Sequence, residues 1–261
     1  MTRKTHYFFL LQQRPWPFIL RISSFNLILS LLLFFKYTNS EIILINLFIV
    51  SFCSFFWWNS YRGEFNLEGK CSFLLENGVK LRMILFISSE VFFFFSFFWS
   101  YFHYFLSPNL EVGLRWPPVI VEIFDFSNVP LINTLVLIGS GLTVTISHYF
   151  LINKNLKSSN FWLATTVGLG GFFTFLQWLE YSNSFFSISD GNFGTSFFIL
   201  TGFHGIHVLI GSIFLMKVLT RGKFLRTSEK NSLRFELASW YWHFVDVVWI
   251  FLYFFLYYLS Y

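Results

Sequence analysis

Seven stretches of the chain are apolar enough to cross a bilayer as helices, at roughly residues 17–35, 42–61, 79–106, 129–152, 161–181, 193–219 and 237–261. A hydrocarbon core needs about 20 helical residues. The third and sixth stretches are long enough to tilt or to extend beyond the lipid. The pattern predicts an all-α polytopic membrane protein of seven transmembrane helices, with residues 1–261 forming a single transmembrane domain.

The intervening segments carry their own signals. Arg14-Pro15-Trp16-Pro17 stands before the first span, where two prolines suit a turn and Trp16 an interfacial position. Residues 59–77 mix both charge signs and predict a short surface helix. Between spans three and four, Pro108 and Trp116-Pro117-Pro118 oppose helix continuation, because proline lacks a donor and pushes its predecessor toward extended geometry. The last four spans are joined by short connections, as suits antiparallel neighbours. No internal repeat is visible, which weighs against a transporter built from inverted halves.

Charge adds an orientation. Of the 18 Lys and Arg residues, all but Lys36 and Arg115 fall at the N-terminus, in every second gap or in the span ends that border these. The positive-inside rule then places the N-terminus on the side of synthesis and the C-terminus opposite. The net charge of +5 does not mark a nucleic-acid partner, since the basic residues gather where spans meet one membrane face. They read as topology determinants and anionic-lipid contacts. At 55% hydrophobic and 12% charged residues, nothing is left over for a soluble domain. Phe occurs 41 times, whereas Ala is confined to Ala164 and Ala238. That imbalance fits a gene rich in A and T, of the kind an organelle genome carries. Cys53 and Cys71 form no metal or disulfide spacing, and the N-terminus shows no cleavable signal peptide.

Polar residues within the spans are the candidates for chemistry. Glu90 lies a dozen residues into the third span, beside Phe92–Phe95. An ionised carboxylate there is costly unless paired, so Glu90 is either a proton-exchanging or partner-binding group, or a neutral acid hydrogen-bonded within the bundle. His204 and His207 are three residues apart, flanked by Gly202 and Gly205. Two histidines from one turn do not complete a metal site. Haem ligation would need axial residues on opposing helices, nominally from His103, His148 and His243. The plainer reading has these histidines bonding to lipid headgroups or neighbouring helices. In the last span Glu236, Trp240, His243 and Asp246 recur at spacings of four and three, so one stripe meets protein or bound headgroups. Glu180, near the end of span five, reads as interfacial and satisfied. Arg62, Glu64, Arg221 and Lys223 fall on one membrane side near Trp57-Trp58, where they would hold a phosphate headgroup or simply mark the positive face.

Longer segments carry a resemblance: Trp240-Tyr241-Trp242-His243-Phe244-Val245-Asp246-Val247-Val248-Trp249, Thr201-Gly202-Phe203-His204-Gly205-Ile206-His207-Val208, Ser89-Glu90-Val91, Ser189-Asp190-Gly191, Trp116-Pro117-Pro118 and Pro130-Leu131-Ile132-Asn133-Thr134. With these segments in order from Pro15 onward, the chain resembles the mitochondrially encoded subunit III of cytochrome c oxidase. The resemblance implies seven helices arranged as two plus five around a lipid-filled V-shaped cleft. It implies a non-catalytic core subunit of the terminal respiratory oxidase, complex IV, which reduces oxygen with electrons from cytochrome c and moves protons. The chain itself would carry no haem or copper. It would pack against catalytic subunit I and other complex IV subunits in the mitochondrial inner membrane, N-terminus in the matrix and C-terminus in the intermembrane space, within reach of a respiratory supercomplex. Its implied work is to stabilise subunit I and its proton-uptake entrance, with structural phospholipids, including cardiolipin-type anionic lipids, sustaining turnover.

On the same resemblance Glu90 matches the family's intramembrane carboxylate, and Trp58, Glu64, Trp99, His103, His207 and Arg221 match regions associated with bound lipid. Arg14 and Lys70-Cys71-Ser72 depart from the family's histidine-containing pattern, which touches local headgroup contacts only. Three other readings stand beside it: the corresponding subunit of a quinol oxidase, a stand-alone transporter using Glu90, His204 and Asp246, and a di-haem cytochrome.

Overall fold

The computed structural model describes residues 15–37, 40–67, 73–108, 113–118, 123–224 and 229–261, with side chains throughout except at 61–67, 73–75, 221–224 and 229–232. Among these residues it is helical with no strand. The helices are α1 (Trp16–Tyr37), α2 (Glu41–Leu67), α3 (Phe73–Leu106), α4 (Val129–Ile152), α5 (Leu156–Ser182), α6 (Gly191–Phe224) and α7 (Glu229–Leu252). A π-helical turn, Tyr253–Tyr258, continues α7.

Six of the helices are long and apolar enough to cross a membrane on their own composition. The exception is α5, whose 27 residues include Gln177 and Glu180. At about 1.5 Å per residue it is still long enough to cross, and it packs between α4 and α6, where polar side chains can face protein. Helix ends run past the apolar stretches because backbone hydrogen bonding continues where the hydrophobic run stops. The surface helix expected at 59–77 is largely absorbed this way: α2 continues to Leu67 and α3 starts at Phe73.

The chain forms two compact units, Met1–Val79 and Lys80–Tyr261. In the first, α1 packs on α2. Small side chains face inward, with Ser23 and Ser30 the buried residues of α1 and Cys53 buried on α2. Each serine hydroxyl donates to a carbonyl of its own helix, Leu20 at 3.0 Å and Leu27 at 2.7 Å. Trp16 stacks on Phe56 at 5.5 Å, while Phe18, Phe25, Leu32 and Phe35 point outward.

The second unit is organised by small and polar residues at helical spacing. The buried face of α5 is Ser159, Leu163, Thr166, Gly170, Phe173, Gln177 and Glu180, spaced alternately by four and three. The buried face of α4 includes Asn133, Leu137, Ser140, Gly141, Val144 and Ser147. Lipid removes the hydrophobic drive between helices, so close approach of small residues and hydrogen bonds between helices take its place. Thr143 and Thr166 hydroxyls meet at 2.8 Å, and Ser147 Oγ donates to the Ser159 carbonyl at 2.8 Å.

Trp242 of α7 is fully buried and reaches three other helices. Its Nε1–H donates to Ser140 Oγ of α4 at 2.9 Å. Its ring lies where a Cβ added to Gly170 of α5 would come within 2.7 Å of it, or one added to Gly211 of α6 within 2.9 Å. The absence of side chains at those two positions is what admits the indole.

Outside the lipid, Asp125 organises the approach to α4. Its carboxylate accepts from the Ser127 hydroxyl at 2.7 Å, the Ser127 amide at 3.0 Å and the Asn128 side-chain amide at 2.9 Å. The Ser127 hydroxyl, then the Ser127 amide, hold this carboxyl below its ordinary value. Its contribution is therefore present above the usual carboxylate range and lost as pH falls through the depressed value.

Gly170→Ala and Gly211→Ala should each lower stability by about 1–3 kcal/mol, the ordinary cost of overpacking. Gly205→Ala, where an added Cβ meets nothing within 4 Å, should leave it unchanged. Thermal unfolding of the purified protein distinguishes the two groups.

Candidate functional site

Glu90 and His207 come together from α3 and α6. Glu90 Oε2 lies 2.8 Å from His207 Nε2, with the side chains 22% and 10% exposed, respectively. His207 Nδ1 donates to the Phe203 carbonyl one turn back, at 2.7 Å. Aromatic rings enclose the contact: Phe94 lies 5.0 Å from the imidazole, and Tyr241 of α7 lies 6.3 Å away and nearly parallel. Phe93 and Phe97 pack on Phe203 at 5.0 and 5.3 Å, fixing α3 against α6 beside the pair.

His204 takes a different direction although it is only three residues away. It is 1% exposed, its Nε2–H donates to the Val245 carbonyl of α7 at 3.3 Å, and its ring packs on Trp249 at 5.0 Å. The two histidines therefore serve separate contacts. His148 stacks on Phe235 at 5.4 Å. Among the described residues no three His, Cys, Asp or Glu side chains gather as a metal group.

The polar stripe of α7 also divides among neighbours. Glu236 pairs with Lys80 of α3 at 3.0 Å. Asp246 lies against α4, where a Cβ on Gly141 would fall 2.6 Å from its Oδ2, and His243 Nδ1 is 3.9 Å from that same oxygen. Such a separation is too long for a hydrogen bond. Trp58 and Trp99 are exposed, at 60% and 68%, and His103 is exposed one turn beyond Trp99 on α3. The side chains of Glu64 and Arg221 lie outside the described residues.

Glu180, near the end of α5, is satisfied at Oε1 from within the protein. It is 3% exposed, and its Oε1 accepts from the Tyr257 hydroxyl at 2.6 Å. Its neighbour Tyr181 bonds Thr201 of α6 at 2.6 Å, so the end of α5 is tied to both α6 and the π-helical turn. Sequence reading also passed over Lys80–Glu236 and the Trp242–Ser140 bond. For Glu180 the regular small and polar face of α5 was the available signal, since in lipid that face marks the protein interior.

The sequence model of the cytochrome c oxidase subunit III family matches residues 6–261. Proteins similar to this chain include the cytochrome c oxidase subunit 3 of Rhipicephalus sanguineus, 46% identical over 97% of this chain and 98% of that protein. The subunit 3 proteins of Myxine glutinosa and Tachyglossus aculeatus aculeatus are 41% and 40% identical, each over 97% of both chains.

Tyr257→Phe should lower stability by about 1–3 kcal/mol, because it removes the donor from a buried carboxyl. Glu180→Gln keeps an oxygen acceptor and should cost less. Melting of the two variants side by side checks the order, and equal losses would show that the hydroxyl contact is unimportant.

Proposed function

The chain belongs to the cytochrome c oxidase subunit III family, and from that membership we propose that it is a non-catalytic core subunit of complex IV in the mitochondrial inner membrane. The observation carrying this reading is the family match over residues 6–261. Relatives at 40–46% identity over 97% of the chain agree with it. In this reading haem and copper reside in partner subunits. The chain braces catalytic subunit I and its proton-uptake entrance, and the complex is its functional unit. The N-terminus faces the matrix and the C-terminus the intermembrane space, as the distribution of Lys and Arg favours.

Bound phospholipid, including cardiolipin-type anionic lipid, is the second part of the proposal. Exposed Trp58, Trp99 and His103 are suited to the interface between acyl chains and headgroups, and Glu64 and Arg221 are assigned to headgroup contacts. Supercomplex contacts belong to the same proposal.

Isolation through a tag on this chain should recover a larger subunit bearing haem and copper; recovery of the chain alone from gently solubilised membranes would overturn the assignment. In the assembled complex Glu90→Gln should leave the haem spectrum intact and reduce turnover modestly. Loss of the haem signal from an assembled complex would place Glu90 in a different role.

A further inference from the structure

The Glu90–His207 contact fixes more than proximity. A backbone carbonyl can only accept, so the 2.7 Å bond to Phe203 requires a hydrogen on His207 Nδ1. That leaves Nε2 with either a lone pair or a second proton, facing a carboxyl oxygen at 2.8 Å. Two arrangements satisfy both atoms. Either the acid O–H of Glu90 donates to Nε2, or the imidazolium Nε2–H donates to the carboxylate.

These arrangements differ only in which atom carries one proton, and both are neutral overall. Removing the proton sets a carboxylate against a nitrogen lone pair and leaves a net negative charge. Adding another leaves a net positive charge. Either charge would sit among Phe93, Phe94, Phe244 and Tyr241, and an uncompensated charge in apolar surroundings is costly. The titratable groups facing the pair are Tyr241 from α7 and His204 from α6. His204 is turned away toward the Val245 carbonyl.

Three other acids of the second unit differ in kind. Glu236 faces a lysine, Glu180 faces a phenol, and Asp246 is 3.9 Å from His243. We propose that Glu90 and His207 bind one proton jointly, on the line between Oε2 and Nε2, as a neutral two-residue site within the membrane span.

The test uses the intact oxidase complex and needs no assumption about turnover. Infrared spectra of the native complex minus Glu90→Gln isolate the Glu90 carboxyl. The same difference taken in a His207→Phe background should show that band at a shifted frequency. A band that is indifferent to His207 overturns the proposal.

Thermal unfolding supplies an independent arm. Glu90→Gln still offers an N–H to Nε2 and should melt with the native complex, whereas Glu90→Met removes the donor and should melt lower. Equal melting of the two, or failure of the glutamine variant alone to assemble, overturns it. The inference rests on the complex IV reading only for its material: co-purification tests that reading, while band and melting report on the pair.

Discussion

Within the hydrocarbon layer an unmet polar group is costly, so polar side chains there draw their partners from other parts of the protein. Four contacts of the second unit follow this constraint. Glu90 meets His207, Trp242 meets Ser140, Glu180 meets Tyr257, and His204 meets the Val245 carbonyl. Each contact joins segments far apart in sequence. Moving one helix relative to another would separate donors from acceptors, and this gives polar contacts a directing role that apolar contact alone would not have.

Close packing supplies the complementary part. The exposed faces carry large apolar side chains such as Phe92, Leu135 and Phe251, while the facing surfaces of α4 and α5 carry serine, threonine and glycine. Small residues thus take places that large apolar ones would fill in a water-soluble bundle. Aromatic side chains then fill the junctions that small residues open, as Trp242 does beside Gly170 and Gly211. Trp249, against Phe173 at 4.8 Å and His204 at 5.0 Å, closes the next layer along α7.

The apolar runs were sufficient to locate all seven helices, because length and hydropathy are properties of continuous sequence. Glu90 was legible as a polar residue set among phenylalanines, but its partner was not: His207 lies 117 positions away, and no local pattern records that meeting. Reading His204 and His207 as neighbours followed from their spacing, yet a difference of three positions still leaves room for two directions when helices flank both sides. Glu180 was placed at the interface because it ends an apolar run. The last turn of α7's continuation, bringing Tyr257 onto it, is a tertiary event.

The widened turn at Tyr253–Tyr258 has its own bonding pattern, with the Leu259 amide donating to the Phe254 carbonyl at 2.9 Å. The Phe255 carbonyl accepts from Tyr101 at 2.9 Å and from Ser260 at 3.1 Å, and the Tyr101 and Ser260 hydroxyls lie 2.8 Å apart. Deleting one residue from this turn would rotate everything beyond it by about 100°, carrying Tyr257 off Glu180 and Ser260 off Tyr101. The segment is thus a frame-sensitive element: exchanges of one aromatic for another are compatible with it, whereas insertions and deletions are not, and alignments of this region should place gaps elsewhere.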